Sequence, residues 1–466
     1  MKRREFIKGS AAATLFAGGC GTLGGGFDAE GHPEGAGRLN VAIIGCGTMG
    51  RDNMWGFLRD PRARVTVTCD PVRRTKAHGY SGDWEKKVWG GREELRDIAD
   101  KFYGDKGCRA VADWREVVAD PTVDAVCITT PDHWHAIIAI AAMNAGKHVY
   151  CQKPLALSIT EGREMCKAAA ANRVVFQVGS QQRSAAEFRQ AAELVRNGYL
   201  GDCRTCTVGL SWPKNDYTAL GFPRNTTPGK PPEWWGVNEA EWNMWQGPAE
   251  HWPDNAFIPG IHGPMTWRWG ERTGGGGITD WGAHHIDILQ WALGTELDGP
   301  VAIENFTSDI DKVSDRYYAW PSRFSFDIVY ADGFRATVCD CDKNGGLSGL
   351  VFHSSKGDLS VCRGKITKPA HLASWKESDL LDSETRLHRS RGSHESDFID
   401  GICDRNWKTA CPCEIGHRSI TIAHLANSCA KTGVKSLKWD AQKETSDNAV
   451  INARADVKRH NGWKLV

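Results

Sequence analysis

The first third of the chain alternates short apolar runs with amphipathic stretches. Apolar runs occupy residues 40–44, 64–69, 125–130 and 148–151, and an Ala-rich stretch between the last two ends near Asn144. Runs of this length predict buried strands, and the stretches between them predict helices. Strands that alternate with helices form a parallel, doubly wound sheet, whose ligands bind beyond the carboxyl ends of the strands. The pattern therefore predicts an α/β fold.

The second half of the chain carries hairpin patterns. Residues 324–330 and 334–339 flank Asp332-Gly333, and residues 351–354 and 358–362 flank a second short turn. A Gly-containing turn between two such runs predicts a pair of antiparallel strands. We therefore expect a second sheet in this half of the chain.

Residues 1–37 differ in composition from the rest of the chain. Arg3 and Arg4 precede an apolar run at 11–19, which is much shorter than a membrane-spanning helix requires. This order is typical of a secretory signal, and the arginine pair resembles a twin-arginine signal, although a chance basic start is the alternative. Cys20 is a candidate site for a lipid anchor, and the Gly-rich residues 21–37 indicate a tether. We expect an exported protein, either periplasmic or anchored to a membrane as a lipoprotein.

Composition excludes several classes of protein. The 466 residues include 58 Lys and Arg against 57 Asp and Glu, and a net charge of +1 argues against a nucleic-acid partner. A hydrophobic content of 41% and a charged content of 25% exclude a disordered chain and a protein with many membrane spans. Ten of the 20 tryptophans lie between Trp212 and Trp291, which points to sugars because indole faces stack on them.

A glycine motif follows the first apolar run directly. In Gly45-Cys46-Gly47-Thr48-Met49-Gly50, the glycines permit a tight turn, close approach of a pyrophosphate, and packing of the following helix. The next run ends at Asp70, where a carboxylate accepts hydrogen bonds from an adenosine ribose. Because a carboxylate repels a 2′-phosphate, Asp70 favours NAD over NADP, while Arg73 and Arg74 leave NADP open.

Three further motifs resemble those of one family of oxidoreductases. They are Thr130-Pro131-Asp132-His133-Trp134-His135, Gln152-Lys153-Pro154 and the stretch from Gly274 to Gly294. With the glycine motif, they make the chain similar to the glucose–fructose oxidoreductase, inositol dehydrogenase and MocA-like (Gfo/Idh/MocA) family, closest to its exported bacterial branch. The resemblance implies a Rossmann domain at 38–155 and a C-terminal α/β domain at 156–466. The second domain is expected to bind substrate and to have an open, mostly antiparallel sheet, with helices on one face and the other face free for contacts with other subunits.

The resemblance also implies the residues that bind the cofactor, which is expected to be a tightly held NAD. The family usually has Glu-Lys-Pro where this chain has Gln152-Lys153-Pro154, so the side chain at 152 carries no charge here. An amide still hydrogen-bonds a ribose hydroxyl, although Lys153 loses its usual acidic neighbour. The expected cofactor-binding residues are Gly45, Gly47, Thr48, Met49, Gly50, Asp70, Arg73, Thr130, Pro131, His133, His135, Gln152 and Lys153.

A candidate catalytic set lies in the stretch that ends at Gly294. Asp280 and His284 are four residues apart, so on a helix their side chains share one face. Oxidation of an alcohol requires a base that removes the hydroxyl proton, and imidazole suits that role near neutral pH. We predict His284 as the base, Asp280 as the acid that orients it, and Lys153 as polariser and proton relay. Asp287 is a second candidate support for His284, and the alternative is a polar helix start capped by Asp280.

Substrate contacts are expected mainly from the Trp-rich segment, because its tryptophans lie among Pro and Gly without a regular period. Loop aromatics of this kind favour a sugar platform, and the alternative is a packing cluster or a subunit interface. The candidate substrate-binding residues are Arg183, Trp234, Trp235, Trp267, Trp269 and His285. The pairs Cys203/Cys206 and Cys411/Cys413 lack a second pair at a suitable spacing, so no metal site is expected.

Three functions are compatible with these residues. The first is an NAD(P)-dependent oxidoreductase that transfers a hydride between the cofactor and a hydroxyl-bearing carbon of a sugar or glycoside. The second is a glycoside hydrolase that oxidises the sugar ring transiently with bound NAD, which export favours because no nicotinamide pool lies outside the cytoplasm. The third is a non-catalytic sugar-binding protein. Lys153, Asp280 and His284 favour the first.

Overall fold

The structure is a computed structural model that describes residues 38–78, 88–211, 228–250, 256–258, 262, 266–313, 318–341, 346, 348–404 and 406–465. The predicted export signal, the candidate anchor at Cys20 and the tether lie outside these residues. In the described part of the chain, no helix has both the length and the apolar composition needed to cross a membrane.

A six-stranded parallel sheet forms the first part of the structure. Its order is β5-β2-β1-β6-β7-β8, and the order reverses between β1 and β6, which opens a crevice at their carboxyl ends. The predicted doubly wound sheet is thus confirmed, and β8 lies beyond residue 155, where the sequence had divided the chain. The elements up to this point are β1 (Leu39–Ile44), α1 (Thr48–Arg59), β2 (Ala63–Cys69), β3 (Thr75–His78), β4 (Val88–Gly90), α2 (Arg92–Tyr103), β5 (Arg109–Val111), α3 (Trp114–Ala119), β6 (Ala125–Ile128), α4 (His135–Asn144), β7 (His148–Gln152), α5 (Ile159–Asn172) and β8 (Phe176–Gly179).

A nine-stranded mixed sheet forms the second part, in the order β15-β14-β13-β9-β12-β11-β10-β16-β17. Every pair is antiparallel except β9 with β12, so the mostly antiparallel second sheet is confirmed as well. Its elements are α6 (Ala186–Arg196), β9 (Cys203–Leu210), α7 (Glu239–Gln246), α8 (Gly276–Leu293), β10 (Ala302–Ser308), α9 (Ile310–Val313), β11 (Phe324–Val329), β12 (Arg335–Asp340), β13 (Gly349–Ser354), β14 (Leu359–Cys362), β15 (Lys365–Thr367), α10 (His394–Cys403), α11 (Cys413–Thr432), β16 (Leu437–Asp440), β17 (Thr445–Ser446) and α12 (Ala449–Asn452).

Helix α8 is the central helix of this second part. It packs against α6, α11 and β9, and nearly all of its side chains are buried. It ends at Gly294, whose φ of 72° is the left-handed conformation that glycine adopts at a helix C-terminus. This packing fixes the direction in which Asp280 and His284 project.

Helix α10 belongs to the second half of the sequence but packs on the first sheet. Phe398 lies in one apolar core with Val41, Phe57 and Tyr150, and its ring meets those of Phe57 and Tyr150 edge to face. The parallel sheet is therefore covered on this side by a helix that comes more than two hundred residues later in the chain.

Candidate active site

A cleft of about 950 Å³ opens at the carboxyl ends of β1, β2 and β6. The backbone of the glycine motif forms its floor, and Trp235, Trp245 and Trp267 form part of its opposite wall. Seven predicted cofactor residues line it, namely Gly45, Gly47, Thr48, Met49, Asp70, Thr130 and Pro131.

The glycine motif has the geometry that a pyrophosphate requires. Gly45 has a φ of 97°, and a Cβ on Gly50 would lie 2.0 Å from the carbonyl oxygen of Gly45. Helix α1 begins directly after Gly47, and no side chain caps its N-terminus. Its first N–H groups therefore face the cleft, where they and the helix dipole attract an anion.

Asp70 supports the same loop from β2. One carboxylate oxygen accepts from the backbone N–H of Cys46 at 2.6 Å, and the other accepts from that of Val72 at 2.7 Å. Burial raises the pKa of Asp70 to about 6, against the lowering effect of these two hydrogen bonds. Arg73 is largely exposed and pairs with Glu93 at 2.8 Å, so its contact with a cofactor stays a prediction.

The remaining predicted cofactor residues support the site from behind the cleft. Gly50 packs against Gly45, as described above. The His133 Nε2 donates to the carbonyl of Trp245 at 3.2 Å, and the His135 ring lies 2.9 Å from the carbonyl of Thr130 and 2.8 Å from that of Pro154. These two histidines therefore hold the loops on either side of the site.

Gln152 also faces protein. Its amide donates to Asn53 Oδ1 at 2.7 Å, and Asn53 in turn donates to Glu395 Oε1 on α10 at 2.7 Å. The Gln152 oxygen accepts from the Lys153 backbone N–H at 3.3 Å. The expected hydrogen bond from Gln152 to a ribose is replaced by this buried chain, which ends in the carboxylate that position 152 lacks.

Lys153 and Asp280 meet at the end of β7. The distance from Lys153 Nζ to Asp280 Oδ1 is 2.5 Å, and Arg268 Nε approaches the same oxygen at 3.3 Å. Burial alone would raise the pKa of Asp280, but the charges of Lys153 and Arg268 outweigh it and hold that pKa at about 2. The pKa of Lys153 is lowered, mainly by burial. Asp280 therefore stays ionised and pairs with Lys153.

The predicted contact between Asp280 and His284 is absent from the described residues, so the assignment of Asp280 as the acid that orients the imidazole is wrong. His284 is buried, and its Nδ1 has no hydrogen-bond partner in the described part of the chain. Burial, followed by the charges of Lys153 and Arg363, holds the pKa of His284 well below its usual value. The imidazole is thus neutral and has a nitrogen available.

Among the described residues, the Asp287 carboxylate hydrogen-bonds to neither His284 nor His285. It accepts two hydrogen bonds from Arg183, at 2.6 and 2.9 Å, and a third from Ser419 at 2.8 Å. The Arg183 side chain is 2% exposed and also lies over the ring of Trp291. The prediction that Arg183 binds substrate is therefore wrong, because its guanidinium is enclosed in a buried ion pair.

The aromatic segment forms a packed cluster instead of an open platform. Trp235, Trp242 and Trp245 surround Phe257, with the rings of Trp242 and Trp245 stacked at 5.4 Å. Trp269 is buried as well, whereas Trp267 borders the cleft with Arg268 over its ring. The sugar-platform prediction is wrong for Trp235 and Trp269, and the side chain of Trp234 lies outside what the structure describes.

His285 is buried too, and its Nδ1 donates to the carbonyl of Gly209 on β9 at 3.0 Å. Its ring therefore anchors α8 to the second sheet, which does not support its predicted role in substrate binding. Cys203, Cys206, Cys411 and Cys413 are free thiols, so neither of the two candidate pairs forms a disulfide. The part of the chain that the structure describes contains no cluster of metal ligands.

Two residues that sequence reasoning missed lie beside Lys153. Arg268 borders the dinucleotide cleft and contacts Asp280, and Asp132 is buried with one oxygen that has no partner in the described structure. Burial raises the pKa of Asp132 to about 8. The sequence held a signal for each of them. Arg268 lies between two tryptophans, and Asp132 directly follows Thr130-Pro131.

Two family models match the chain. One describes the NAD-binding Rossmann fold of the Gfo/Idh/MocA oxidoreductases and matches residues 39–180, and the other describes their C-terminal α/β domain and matches residues 235–464. Together they cover most of the chain, including the six-stranded sheet and every strand of the nine-stranded sheet except β9.

Individual relatives agree with these models over part of their length. A levoglucosan dehydrogenase of Pseudarthrobacter phenanthrenivorans is 32% identical over 35% of this chain and 38% of its own. An inositol 2-dehydrogenase of Rhodococcus jostii is 30% identical over 36% of this chain and 40% of its own, so the matches span about two fifths of these relatives. The solved structure of a levoglucosan dehydrogenase with NADH and levoglucosan shares the fold, with a TM-score of 0.55, 18% identity, and coverage of 86% of this chain and 99% of that one.

Proposed function

We propose, because this chain belongs to the Gfo/Idh/MocA family of oxidoreductases, that it transfers a hydride between NAD and a hydroxyl-bearing carbon of a sugar, cyclitol or glycoside. The observation that carries the proposal is the 2.5 Å contact between Lys153 and Asp280 beside the neutral imidazole of His284. The sugar and polyol dehydrogenases among the relatives support this substrate class.

The cleft fits a dinucleotide on three observations of its own residues. The glycine motif leaves no room for a Cβ at Gly45 or Gly50, the N-cap residue of α1 is Gly47, which has no side chain, and Asp70 lines the cleft at the end of β2. NAD, when bound there, supplies the acceptor for the hydride. Arg73 pairs with Glu93, and Asp70 is the charged group at the ribose end, so we propose a preference for NAD over NADP.

The residues around Lys153 divide the remaining work. His284, whose pKa is lowered mainly by burial, takes the proton from the substrate hydroxyl. Lys153, held by Asp280, donates a hydrogen bond to the same oxygen as it becomes a carbonyl and stabilises the charge that develops there. Asp280 fixes the position of Lys153, since the buried ion pair leaves the ammonium little freedom. Burial of this group excludes water from the reacting carbon.

The test is to incubate the purified protein with a panel of sugars, cyclitols and glycosides. Nicotinamide absorbance and released aglycone are followed together, and bound NAD is quantified after denaturing extraction. The proposal expects roughly one dinucleotide per chain and a change in absorbance with at least one substrate. Aglycone release with no net change in absorbance would instead identify an NAD-dependent glycoside hydrolase. Sugar binding without either signal would identify a non-catalytic protein.

We also propose that the chain is exported through the twin-arginine pair Arg3-Arg4 and that its nine-stranded sheet joins subunits. Fractionation of cells that express the tagged full chain, compared with an Arg3→Lys/Arg4→Lys variant, tests export. Retention of the variant in the cytoplasm is the expected result. Light scattering of the purified protein tests assembly, and a monomer at all concentrations would contradict it.

A further inference from the structure

Arg268 and Lys153 share one acceptor atom. Both approach Oδ1 of Asp280, the ammonium at 2.5 Å and the Arg268 Nε at 3.3 Å. The two cations come from different parts of the chain, Lys153 from the end of β7 and Arg268 from the turn Thr266–Trp269. Their side chains are each 13% exposed, so solvent screens this arrangement little.

Arg268 is held in place by a second contact. Its guanidinium lies over the ring of Trp267, 4.2 Å from the ring centroid, and its side chain borders the dinucleotide cleft. An arginine stays charged at any pH at which a protein is folded, and its planar group stacks on an indole in a way that a lysine does not. The position therefore supplies a permanent positive charge next to the carboxylate that holds Lys153.

We propose that Arg268 is a positioning residue for Lys153, because it shares the Asp280 carboxylate and thereby lowers the cost of removing the Lys153 proton. Without Arg268, the full charge of Asp280 would act on the ammonium, and the tighter ion pair would keep the proton on Lys153. With Arg268, Asp280 keeps a counter-cation when Lys153 becomes neutral. The inference rests on the proposed function and on the role of proton relay predicted for Lys153 from the sequence, because a relay has to give up its proton during turnover.

The groups that face Lys153 shift its pKa in both directions. Burial lowers the pKa of Lys153, Asp280 raises it, Arg268 lowers it, and the nearby Asp132 raises it. The neutral histidines His135 and His284 also lie within electrostatic reach of the ammonium. Arg268 is thus the charged side chain that opposes the two carboxyl groups.

The experiment measures the reactivity of the Lys153 amine without any substrate. The full chain is labelled briefly with acetic anhydride at a series of pH values, and acetylation of Lys153 is quantified by peptide mass spectrometry. Only the neutral amine reacts, so the pH profile reports its protonation. Arg268→Gln is expected to slow labelling by about tenfold at a fixed pH, which corresponds to one pKa unit. Asp280→Asn is expected to accelerate it.

Opposite effects of the two variants separate this role from a structural one. A variant that merely loosened the site would expose Lys153 and label faster, so faster or unchanged labelling in Arg268→Gln overturns the proposal. Arg268→Met, which packs on Trp267 without a charge, repeats the test if Arg268→Gln folds poorly. Arg272→Gln is the matched control, because Arg272 lies on the same segment and pairs with Glu250 at 2.8 Å, and it is expected to label like the wild type.

The outcome is independent of the substrate panel. A normal dehydrogenase whose Lys153 labelling does not respond to Arg268 rejects the positioning role alone. A shifted labelling profile in a protein that oxidises nothing rejects the dehydrogenase proposal and leaves the positioning role intact. In an active enzyme, the basic limb of the pH–rate profile should move in the same direction as the labelling profile.

Discussion

Lys153 and Asp280 belong to parts of the chain that form different sheets, yet Lys153 Nζ lies 2.5 Å from Asp280 Oδ1. Lys153 follows the fifth strand of the parallel sheet, and Asp280 lies on the helix at the centre of the second part. Their ion pair is buried, and a buried pair is costly to break because it leaves one charge unpaired. The residues that we propose as catalytic thus also join the two halves of the molecule.

The first prediction concerns the base. His284→Ala should lower the rate of hydride transfer by about 10²–10⁴, because positioned proton transfer contributes that much. His371→Ala, at an exposed histidine remote from the described site, is the control and should retain full activity. The measurement is the rate on whichever substrate the panel identifies, with bound NAD quantified in each variant. Full activity of His284→Ala with NAD bound would show that another group is the base.

The second prediction concerns coenzyme preference. Asp70→Asn should bind NADP more tightly relative to NAD, because it removes the charge that repels a 2′-phosphate, while its single amide oxygen still accepts from one of the two N–H groups of Cys46 and Val72. Since the pKa of Asp70 is about 6, its carboxylate is protonated below that pH and ionised above it. The wild type should therefore discriminate less against NADP at pH 5 than at pH 7.

Calorimetric titration with both coenzymes at the two pH values gives the measurement. The 2′-phosphate also takes up a proton near pH 6, so Asp70→Asn serves as the reference for that contribution. A preference that depends on pH equally in the wild type and in Asp70→Asn would contradict the role of the Asp70 charge.

The third prediction concerns the replaced motif residue. Gln152→Glu should destabilise the protein, because it replaces the amide that donates to Asn53 with a second carboxylate. The buried hydrogen-bonded chain through Asn53 already ends in the carboxylate of Glu395. Glu395→Gln in the same chain should restore stability by moving the charge from position 395 to position 152. Thermal unfolding of the two single variants and the double variant measures the coupling. Additive losses in the double variant would show that the two positions are independent.

The fourth prediction concerns Arg183. Arg183→Met should reduce the free energy of unfolding by about 3–5 kcal/mol, because it leaves Asp287 buried without its partner. The Michaelis constant for substrate should stay unchanged in the fraction that folds, since the guanidinium does not reach the cleft. Chemical denaturation and steady-state kinetics test the two halves separately. A selective rise in the Michaelis constant with normal stability would restore Arg183 as a substrate contact.

The residues that form the dinucleotide cleft were predictable from local sequence, whereas the contacts among Lys153, Asp280 and His284 were not. Gly45, Gly47 and Asp70 act through backbone geometry and strand ends, which a short motif in its strand–turn–helix setting specifies. Asp280 and His284 share a helix as predicted, but the spacing could not show that Lys153 competes for the carboxylate. That competitor comes from 127 residues earlier, and only the packing of α8 brings it near.

The Trp-rich segment was misjudged for a related reason. Irregular spacing among Pro and Gly indicates loops, but it does not indicate whether the loops pack on themselves. Trp235, Trp242 and Trp245 bury one another, and Trp235 and Trp245 line the dinucleotide cleft. Trp242 and Trp245 lie three residues apart on α7, so the loop assignment is wrong for these two tryptophans, and their rings bury apolar surface together with Trp235.

The position of helix α10 determines whether the nucleotide-binding half can fold without the rest of the chain. Phe398 completes the apolar core over Phe57 and Tyr150, and Glu395 closes the polar chain through Asn53 to Gln152. A fragment that ends after β8 would expose that core and leave the buried amide of Asn53 without its acceptor. The nucleotide-binding half therefore depends on helix α10 for its fold. A chimera that joins this half to the second half of a relative with Glu-Lys-Pro should fold only if the residues at positions 53, 152 and 395 are transferred together.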